Sequence, residues 1–259
     1  MLSGAIAVVT GAASGIGRAL AERFAAEDAQ LVVVADVDSA RAQAVAEGIG
    51  DAVGRRGGRA LAVHLDVADE AAVRDLAARL ERDEDRIDLW CSNAGVAAGA
   101  GLGDDADWER SWRVNVLGHL YAARAVLPGM AARGRGHLMA TASAAGLLTE
   151  VASAPYSVTK HGAVALAEWL AITYAGTGVT FSCLCPQGVR TPMLDGVAPD
   201  SPTVAGGVLE PAEVADAVVE ALADGRFLIL PHPRVADYER RRAGDRDRWL
   251  AGMARASAR

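Results

Sequence analysis

A doubly wound parallel α/β sheet is the fold this 259-residue sequence predicts. Short aliphatic runs alternate with longer Ala-rich, charge-flecked segments along the whole chain. A glycine-rich turn joins the first run to the first long segment, and no Pro- or Ser-rich linker or internal repeat interrupts the pattern. Such alternation predicts strands covered by helices on both faces, because right-handed crossovers carry each helix back over the sheet. A chain of this length buries roughly three-quarters of its unfolded surface, so one core suffices without metals or disulfides. A single domain over residues 1–259 is expected.

Taken in order, the runs at 5–10, 31–35, 59–65, 87–91, 136–141, 179–185 and 227–230 are β-branched or aliphatic and read as about seven buried strands. The segments at 15–28, 38–56, 69–84, 107–132, 155–175 and 211–224 have helical length and periodicity. Two of them, 108–127 and 157–174, are apolar nearly all the way round. A helix lying on a sheet needs one apolar face, so the surplus predicts a subunit interface. Residues 234–259 hold eight Arg and four acids, a net of +4 that leaves −11 for the remainder. This tail reads as a helix packed through Tyr238, Trp249, Leu250 and Met253, lying either across the mouth of a site or against another subunit.

Composition narrows the function. The chain is 51% hydrophobic and 23% charged, with a formal net charge of −7. That balance argues against nucleic-acid or anionic-membrane partners. No run approaches 18 apolar residues, and no basic stretch precedes the apolar residues 5–9, so neither a membrane span nor a secretory signal is expected. A cytoplasmic location follows. Cys91, Cys183 and Cys185 form no paired-cluster spacing and read as buried reduced thiols, the last two on one strand face. The five histidines form no ligand pattern, and no metal is expected.

The turn after the first strand reads Thr10-Gly11-Ala12-Ala13-Ser14-Gly15-Ile16-Gly17. Glycines there permit a tight turn and let the backbone approach a pyrophosphate seated at a helix N-terminus. The second strand ends at Asp36, 19 residues past Gly17, where a ribose-binding acid belongs in a dinucleotide site. Its carboxylate would accept bonds from ribose hydroxyls and repel a 2′-phosphate, and neither Ser14 nor Val37 supplies a cation. NAD is therefore expected over NADP. Asp66-Val67, ending the third strand, is placed to bond the adenine amine, while Asp69 reads as a helix N-cap.

At the other end, Tyr156 and Lys160 are four apart at the start of a helix and share one face. A phenol near its ordinary pKa of about 10 is a poor acid–base group at neutral pH, and a neighbouring ammonium is expected to lower it. The pair suits oxidation of an alcohol or reduction of a ketone. Lys160 is the only lysine beside 25 arginines, which marks a position where a compact ammonium is required. Ser143 lies 13 residues upstream, just past the fifth strand, where ligand-facing loops belong.

With Thr10–Gly17, Asp66, Asn93-Ala94-Gly95, Asn115, Ser143, Tyr156-x-x-x-Lys160 and Pro186 to Thr191 in this order, the chain resembles the short-chain dehydrogenase/reductase family over essentially its whole length. The chain's only two asparagines both fall on these positions. The resemblance implies a Rossmann-type sheet in the order 3-2-1-4-5-6-7 and usually a homotetramer, with a dimer the other expected assembly. It implies that Tyr156 is the acid–base, that Lys160 tunes it and holds the nicotinamide ribose, and that Ser143 polarises the carbonyl. It further implies that Asn115 positions a relay water, that Asn93 supports the cofactor-side backbone, and that Thr191 bonds the carboxamide with the Val189 backbone. One residue departs from the family: Gln187 stands after Pro186 where Gly is usual, so a positive φ there would strain it unless Gly188 takes the turn. Gln187 is then a candidate to face the substrate.

The expected function is an NAD-dependent oxidoreductase interconverting a secondary alcohol and a ketone. An NADPH-dependent 3-oxoacyl-thioester reductase and a non-catalytic cofactor sensor on the same fold are the alternatives. The substrate walls are expected from 144–155, 96–105 and a lid at 193–210, with Leu147, Leu148, Val151, Met193 and Leu194 making an apolar lining.

Overall fold

A computed structural model describes residues 2–53, 58–195, 201, 204 and 206–257. Part of the expected lid (196–200, 202, 203 and 205), residues 54–56 of the expected second helix and the last two residues of the tail lie outside the described residues.

The strands β1 (Ile6–Thr10), β2 (Leu31–Asp36), β3 (Arg59–His64), β4 (Leu89–Ser92), β5 (Gly136–Thr141), β6 (Val179–Leu184) and β7 (Leu228–Ile229) form one seven-stranded parallel sheet in the order β3-β2-β1-β4-β5-β6-β7. The order reverses between β1 and β4, and the crevice over the carboxyl ends of those two strands is where a doubly wound sheet receives ligands. The helices between strands are α1 (Gly15–Ala26), α2 (Ser39–Val53), α3 (Glu70–Glu84), α4 (Asp105–Trp112), α5 (Gly118–Arg133), α6 (Ala145–Leu148), α7 (Ala154–Thr173) and α8 (Pro211–Asp224). Two more, α9 (Arg234–Gly244) and α10 (Arg246–Ser257), follow the sheet.

Strand alternation splits the core into two layers. Ala7, Val9, Val32 and Val34 point into the layer that holds Leu20 and Phe24 of α1 and Val214 and Val218 of α8. Ile6, Val8, Leu31 and Val33 point the other way, onto Leu76 and Leu80 of α3, Val126 and Met130 of α5 and Leu170 of α7. Each fully buried Val or Leu contributes about 1.5–3 kcal/mol, so a central strand buried on both faces reads as an unbroken apolar run. Asp69 caps α3 as expected, its carboxylate accepting from the Ala71 and Ala72 amides at 2.9 and 3.1 Å.

Three expectations are corrected. The helix expected at 107–132 is α4, a π-helical turn Arg113–Leu117, and α5. Periodicity cannot register the extra residue in one turn; the turn is held by hydrogen bonds from Asn115 to Val96 and Thr159. A further helix, α6, packs on α7 so closely that a Cβ on Gly146 would lie 2.5 Å from the Lys160 carbonyl oxygen. In the tail, Val235 is buried and Tyr238 and Trp249 pack ring to ring at 6.3 Å, but Leu250 is exposed instead of packed. Among the described residues, no helix is long and apolar enough to cross a membrane.

Candidate active site

The glycine turn is strapped to three strands. Thr10 Oγ1, at the end of β1, accepts from the Asn93 and Ala94 amides at 2.9 and 3.1 Å. Asn93 Nδ2 returns a bond to the Thr10 carbonyl at 3.0 Å, so the β4 end supports the turn from below. From the other side Asp36 Oδ2, at the end of β2, accepts from the Ala13 amide at 2.9 Å, and its Oδ1 accepts from Asp38 at 3.0 Å. Gly11 has φ +65°, and a Cβ there would meet the Ala94 Cα at 2.8 Å. A Cβ on Gly17 would lie 2.2 Å from the Gly11 carbonyl oxygen. Only glycine fits either position.

This turn delivers α1 with its amino end open. Ser14, the N-cap, is extended (φ −156°) and makes no side-chain cap bond, which leaves first-turn amides for an anionic ligand. Gly15 and Ile16 begin that turn, and a Cβ on Gly15 would come 2.9 Å from Thr191 Cγ2, so the loop after β6 closes over the same helix end. A pyrophosphate fits this cradle. The nearby arginines are engaged elsewhere: Arg18 pairs with Glu22 and Arg41 with Asp38. Asp66 Oδ1 accepts from the Ala68 amide at 2.9 Å, and the buried Val67 packs where a Cβ on Gly118 would meet it at 3.1 Å.

Ser153 sets the start of α7 by accepting from the Tyr156 amide at 3.2 Å and donating to the Ala98 carbonyl, also at 3.2 Å. That cap faces Tyr156 and Lys160 towards the carboxyl ends of β5 and β6. Lys160, 2% exposed, donates to the Thr141 carbonyl at 3.0 Å, and its Nζ lies 5.7 Å from the centre of the Tyr156 ring. Ser143 Oγ accepts from the Ala145 amide at 3.1 Å and donates to the Pro186 carbonyl at 3.4 Å, and its hydroxyl pulls the Tyr156 phenol down. Gly95 lies against both Lys160 and Asn115: a Cβ there would be 3.2 Å from Nζ and 3.3 Å from Asn115 Oδ1.

Two residues given roles by the resemblance have defined surroundings. The Tyr156 phenol stands above its ordinary value. Burial pushes it up, Glu150 and Cys185 add to that, and the Ser143 hydrogen bond opposes them. The ammonium lies by the ring and bonds Thr141, while its own burial brings Lys160 down to about 8. Asn115 has both amide hydrogens committed, to the Val96 carbonyl at 2.9 Å and to Thr159 Oγ1 at 3.1 Å, and its oxygen accepts from Val96. Its side chain holds the 93–96 loop, so a relay water would have to be met by another of its atoms.

Gln187 is unstrained, since neither it nor Gly188 has a positive φ. Its amide donates to His232 Nδ1 at 3.2 Å, and its side-chain oxygen reaches Gly206, where a Cβ would be 2.2 Å away. Buried Val189 bridges to Leu209, and Thr191 opens a short 3-10 turn, Pro192–Leu194. Sequence reasoning gave no role of their own to Thr10, Thr141, Ser153 and Thr159. Of these Thr10 was the most legible, because a hydroxyl at a strand end ahead of a glycine turn has orphan amides to satisfy. Among the described residues, no group of three His, Cys, Asp or Glu is placed to hold a metal ion.

The chain is similar to known proteins over most of its length. The short chain dehydrogenase family pattern matches residues 5–202. The 1-deoxy-11-beta-hydroxypentalenate dehydrogenase of Streptomyces exfoliatus is 39% identical over 86% of this chain and 81% of its own. Oxidoreductase UcpA of Salmonella typhimurium is 34% identical over 78% and 77%. Among solved structures, a short chain dehydrogenase/reductase from Burkholderia phymatum in complex with NAD superposes with a TM-score of 0.82 at 32% identity, covering 95% of each chain. A short-chain dehydrogenase from Sphingobium yanoikuyae in complex with NADPH gives 0.81 at 26% identity, again over 95% of each. This chain belongs to the short-chain dehydrogenase family and is an oxidoreductase of CH–OH groups that uses NAD(P).

Proposed function

We propose that the protein interconverts an apolar secondary alcohol and its ketone with NAD. The convergence of Ser143, Tyr156 and Lys160 beside the open end of α1 carries this reading. NAD, when bound, supplies the hydride acceptor; the chain orients and moves the proton. Gly11, Ser14, Gly15, Ile16 and Gly17 cradle the pyrophosphate. Asp36 has lone pairs left for the ribose hydroxyls, Asp66 and Val67 border the adenine, and Asn93, Ala94 and Gly95 floor the crevice. Pro186, Val189 and Thr191 hold the nicotinamide end. In alcohol oxidation the Tyr156 phenolate accepts the hydroxyl proton, Ser143 donates to the same oxygen, and the Lys160 charge favours the phenolate and grips the ribose. Asn115 keeps the 93–96 loop in place beneath them.

Leu147 and Leu148 are buried against α7 and α9, and Val151 and Met193 are exposed at the mouth, which supports an apolar alicyclic or aliphatic substrate. The 193–210 segment is proposed as a substrate lid on one domain, and 233–259 as a C-terminal helical extension whose α9 packs on α6. Trp112, Val158, Trp169 and Ile172 stand exposed on α4 and α7, which supports burial against a second copy of the chain in a dimer or tetramer. The three free, buried thiols support a reducing, cytoplasmic setting.

Cofactor fluorescence during parallel titrations with NADH and NADPH tests the central claim. Clear preference for NADH is expected from Asp36. Preference for NADPH would overturn the NAD assignment and favour the acyl-thioester reductase. Binding of neither by folded protein would remove the reaction itself.

A further inference from the structure

The peptide unit between Pro186 and Gln187 is held at both ends. Its carbonyl accepts from the Ala144 amide at 2.8 Å and from Ser143 Oγ at 3.4 Å. Its N–H donates to His232 Nδ1 at 3.2 Å. A trans peptide is planar, so its C=O and N–H point to opposite sides and tilt together. Ser143, on the loop after β5, and His232, on the loop between β7 and α9, are therefore joined through one rigid plate.

The two bonds on the carbonyl differ. The Ala144 amide lies at an ordinary distance, whereas 3.4 Å is long for a hydroxyl donor. So weak a bond orients the Ser143 hydrogen only while the carbonyl keeps its place, and releases it when a substrate oxygen arrives. At the other end the imidazole is built into the fold. His232 is 3% exposed, and its carbonyl accepts from the Val235 amide at 3.0 Å where the chain turns into α9. Just ahead of it, the Ile229 carbonyl of β7 accepts from the Cys185 amide at 2.9 Å, beside Pro186. A backbone amide only donates, so Nδ1 is the acceptor and the ring is neutral with its proton on Nε2. Burial favours that neutral ring, while the Gly188 and Gly207 backbone and the Glu213 carboxylate oppose it.

We propose that His232 is a positioning residue for Ser143: by accepting from the Gln187 amide it fixes the Pro186–Gln187 peptide, whose carbonyl aims the serine hydroxyl. The bond at the N–H also polarises the carbonyl of the same unit, so the two bonds strengthen each other. Without its acceptor the amide would be left unsatisfied in a buried place, and the peptide would turn to find another partner. The carbonyl turns with it, and Ser143 loses the group that aims it. His232 stands at the entrance to the C-terminal extension, so this bond also fastens the extension to the reacting end of the site. The role deepens the proposed alcohol–ketone chemistry and rests on the part Ser143 plays in it.

Proline is followed by glutamine once in the chain, so 13C-carbonyl proline and 15N-glutamine labels give one directly bonded pair, the 186–187 peptide, readable by NMR. With 15N-histidine added, wild type is expected to show a scalar coupling across the bond from the Gln187 amide to His232 Nδ1. Ser143→Ala should move the Pro186 carbonyl resonance upfield, because the serine's bond is lost. His232→Leu should move it in the same direction, and the double variant should move it no further than Ser143→Ala alone. His232→Asn, which keeps an acceptor on the same side-chain branch, should restore the wild-type position. Circular dichroism confirms folding. If the leucine variant does not fold, Ser143→Ala carries the test, since losing the bond at the carbonyl should weaken the coupling at the N–H. An unmoved carbonyl in folded His232→Leu would overturn the proposal, as would additive shifts in the double variant or His232→Asn shifting as far as His232→Leu. So would absence of the coupling in wild type, or an unchanged coupling in Ser143→Ala where that variant decides. Neither cofactor nor alcohol is present, so failure of the cofactor reading would leave these signals intact.

Discussion

The two ends of the site are stabilised by different means. Around the glycine turn, hydrogen bonds from Thr10, Asp36 and Asn93 tie backbone to backbone, and two glycines leave no room for a Cβ. Around Tyr156 the dominant influence is burial, which raises the phenol, lowers Lys160 and lowers His119. A cradle must be rigid and shaped to bind phosphates; an acid–base pair must hold its charges out of water so that small changes nearby move its protons. Damage at the first end should therefore cost binding or folding, and damage at the second should cost turnover or shift its pH dependence.

Tyr156→Phe gives the largest separation of the two ends. With the acid–base removed, turnover should fall about 1000-fold, within the range such groups supply, while NADH binding by fluorescence stays near wild type. Residual turnover within tenfold of wild type would remove Tyr156 from the proton transfer. Gly17→Ala strikes the opposite end. The added methyl would sit 2.2 Å from the Gly11 carbonyl oxygen, so thermal denaturation should show a loss of about 3 kcal/mol, the upper part of the overpacking range. An unchanged melting temperature would mean that the loop is softer than its geometry implies.

Asp36→Ala removes an acceptor from both the loop and the ribose. The Kd for NADH should rise about tenfold, or about 1.4 kcal/mol, with less effect on NADPH, so the ratio of the two titrations reports the preference. The smallest effect belongs to Glu150→Gln. Glu150 helps to raise the Tyr156 phenol, so neutralising it lowers that pKa. Oxidation needs the phenolate, so its rate rises with pH through this group; the rising limb of kcat/KM should move to lower pH in the variant. Movement to higher pH would place the carboxylate's influence on some other group.

How much of this was legible in the sequence differs between the two ends for the same reason. Gly11, Gly17 and Asp36 were readable because a backbone requirement leaves a residue-type signature at a fixed offset from a strand. The Tyr156–Lys160 pair was readable because helical spacing places them on one face. The direction in which Tyr156 titrates was not, because burial is a sum over Ser143, Glu150, Cys185 and whatever else the fold assembles around the ring. The π-helical turn at Asn115 was missed likewise: it depends on bonds to Val96 and Thr159, which are 19 and 44 residues away.

Taken alone, the amino-acid sequence determined the strand–helix alternation, the strand whose end carries the glycine turn, and the residue types able to bind a dinucleotide and move a proton. These are local properties, set by periodicity of 2 or 3.6, by glycine's freedom and by side-chain chemistry. Tertiary structure alone decided the protonation tendencies of Tyr156, Lys160 and His119 and the division of labour within Asn115. It also decided that Gln187 is unstrained and brought Ser92 and His119 to one buried cavity. Desolvation and hydrogen-bond pairing depend on neighbours distant in the chain, and only the packed fold specifies them.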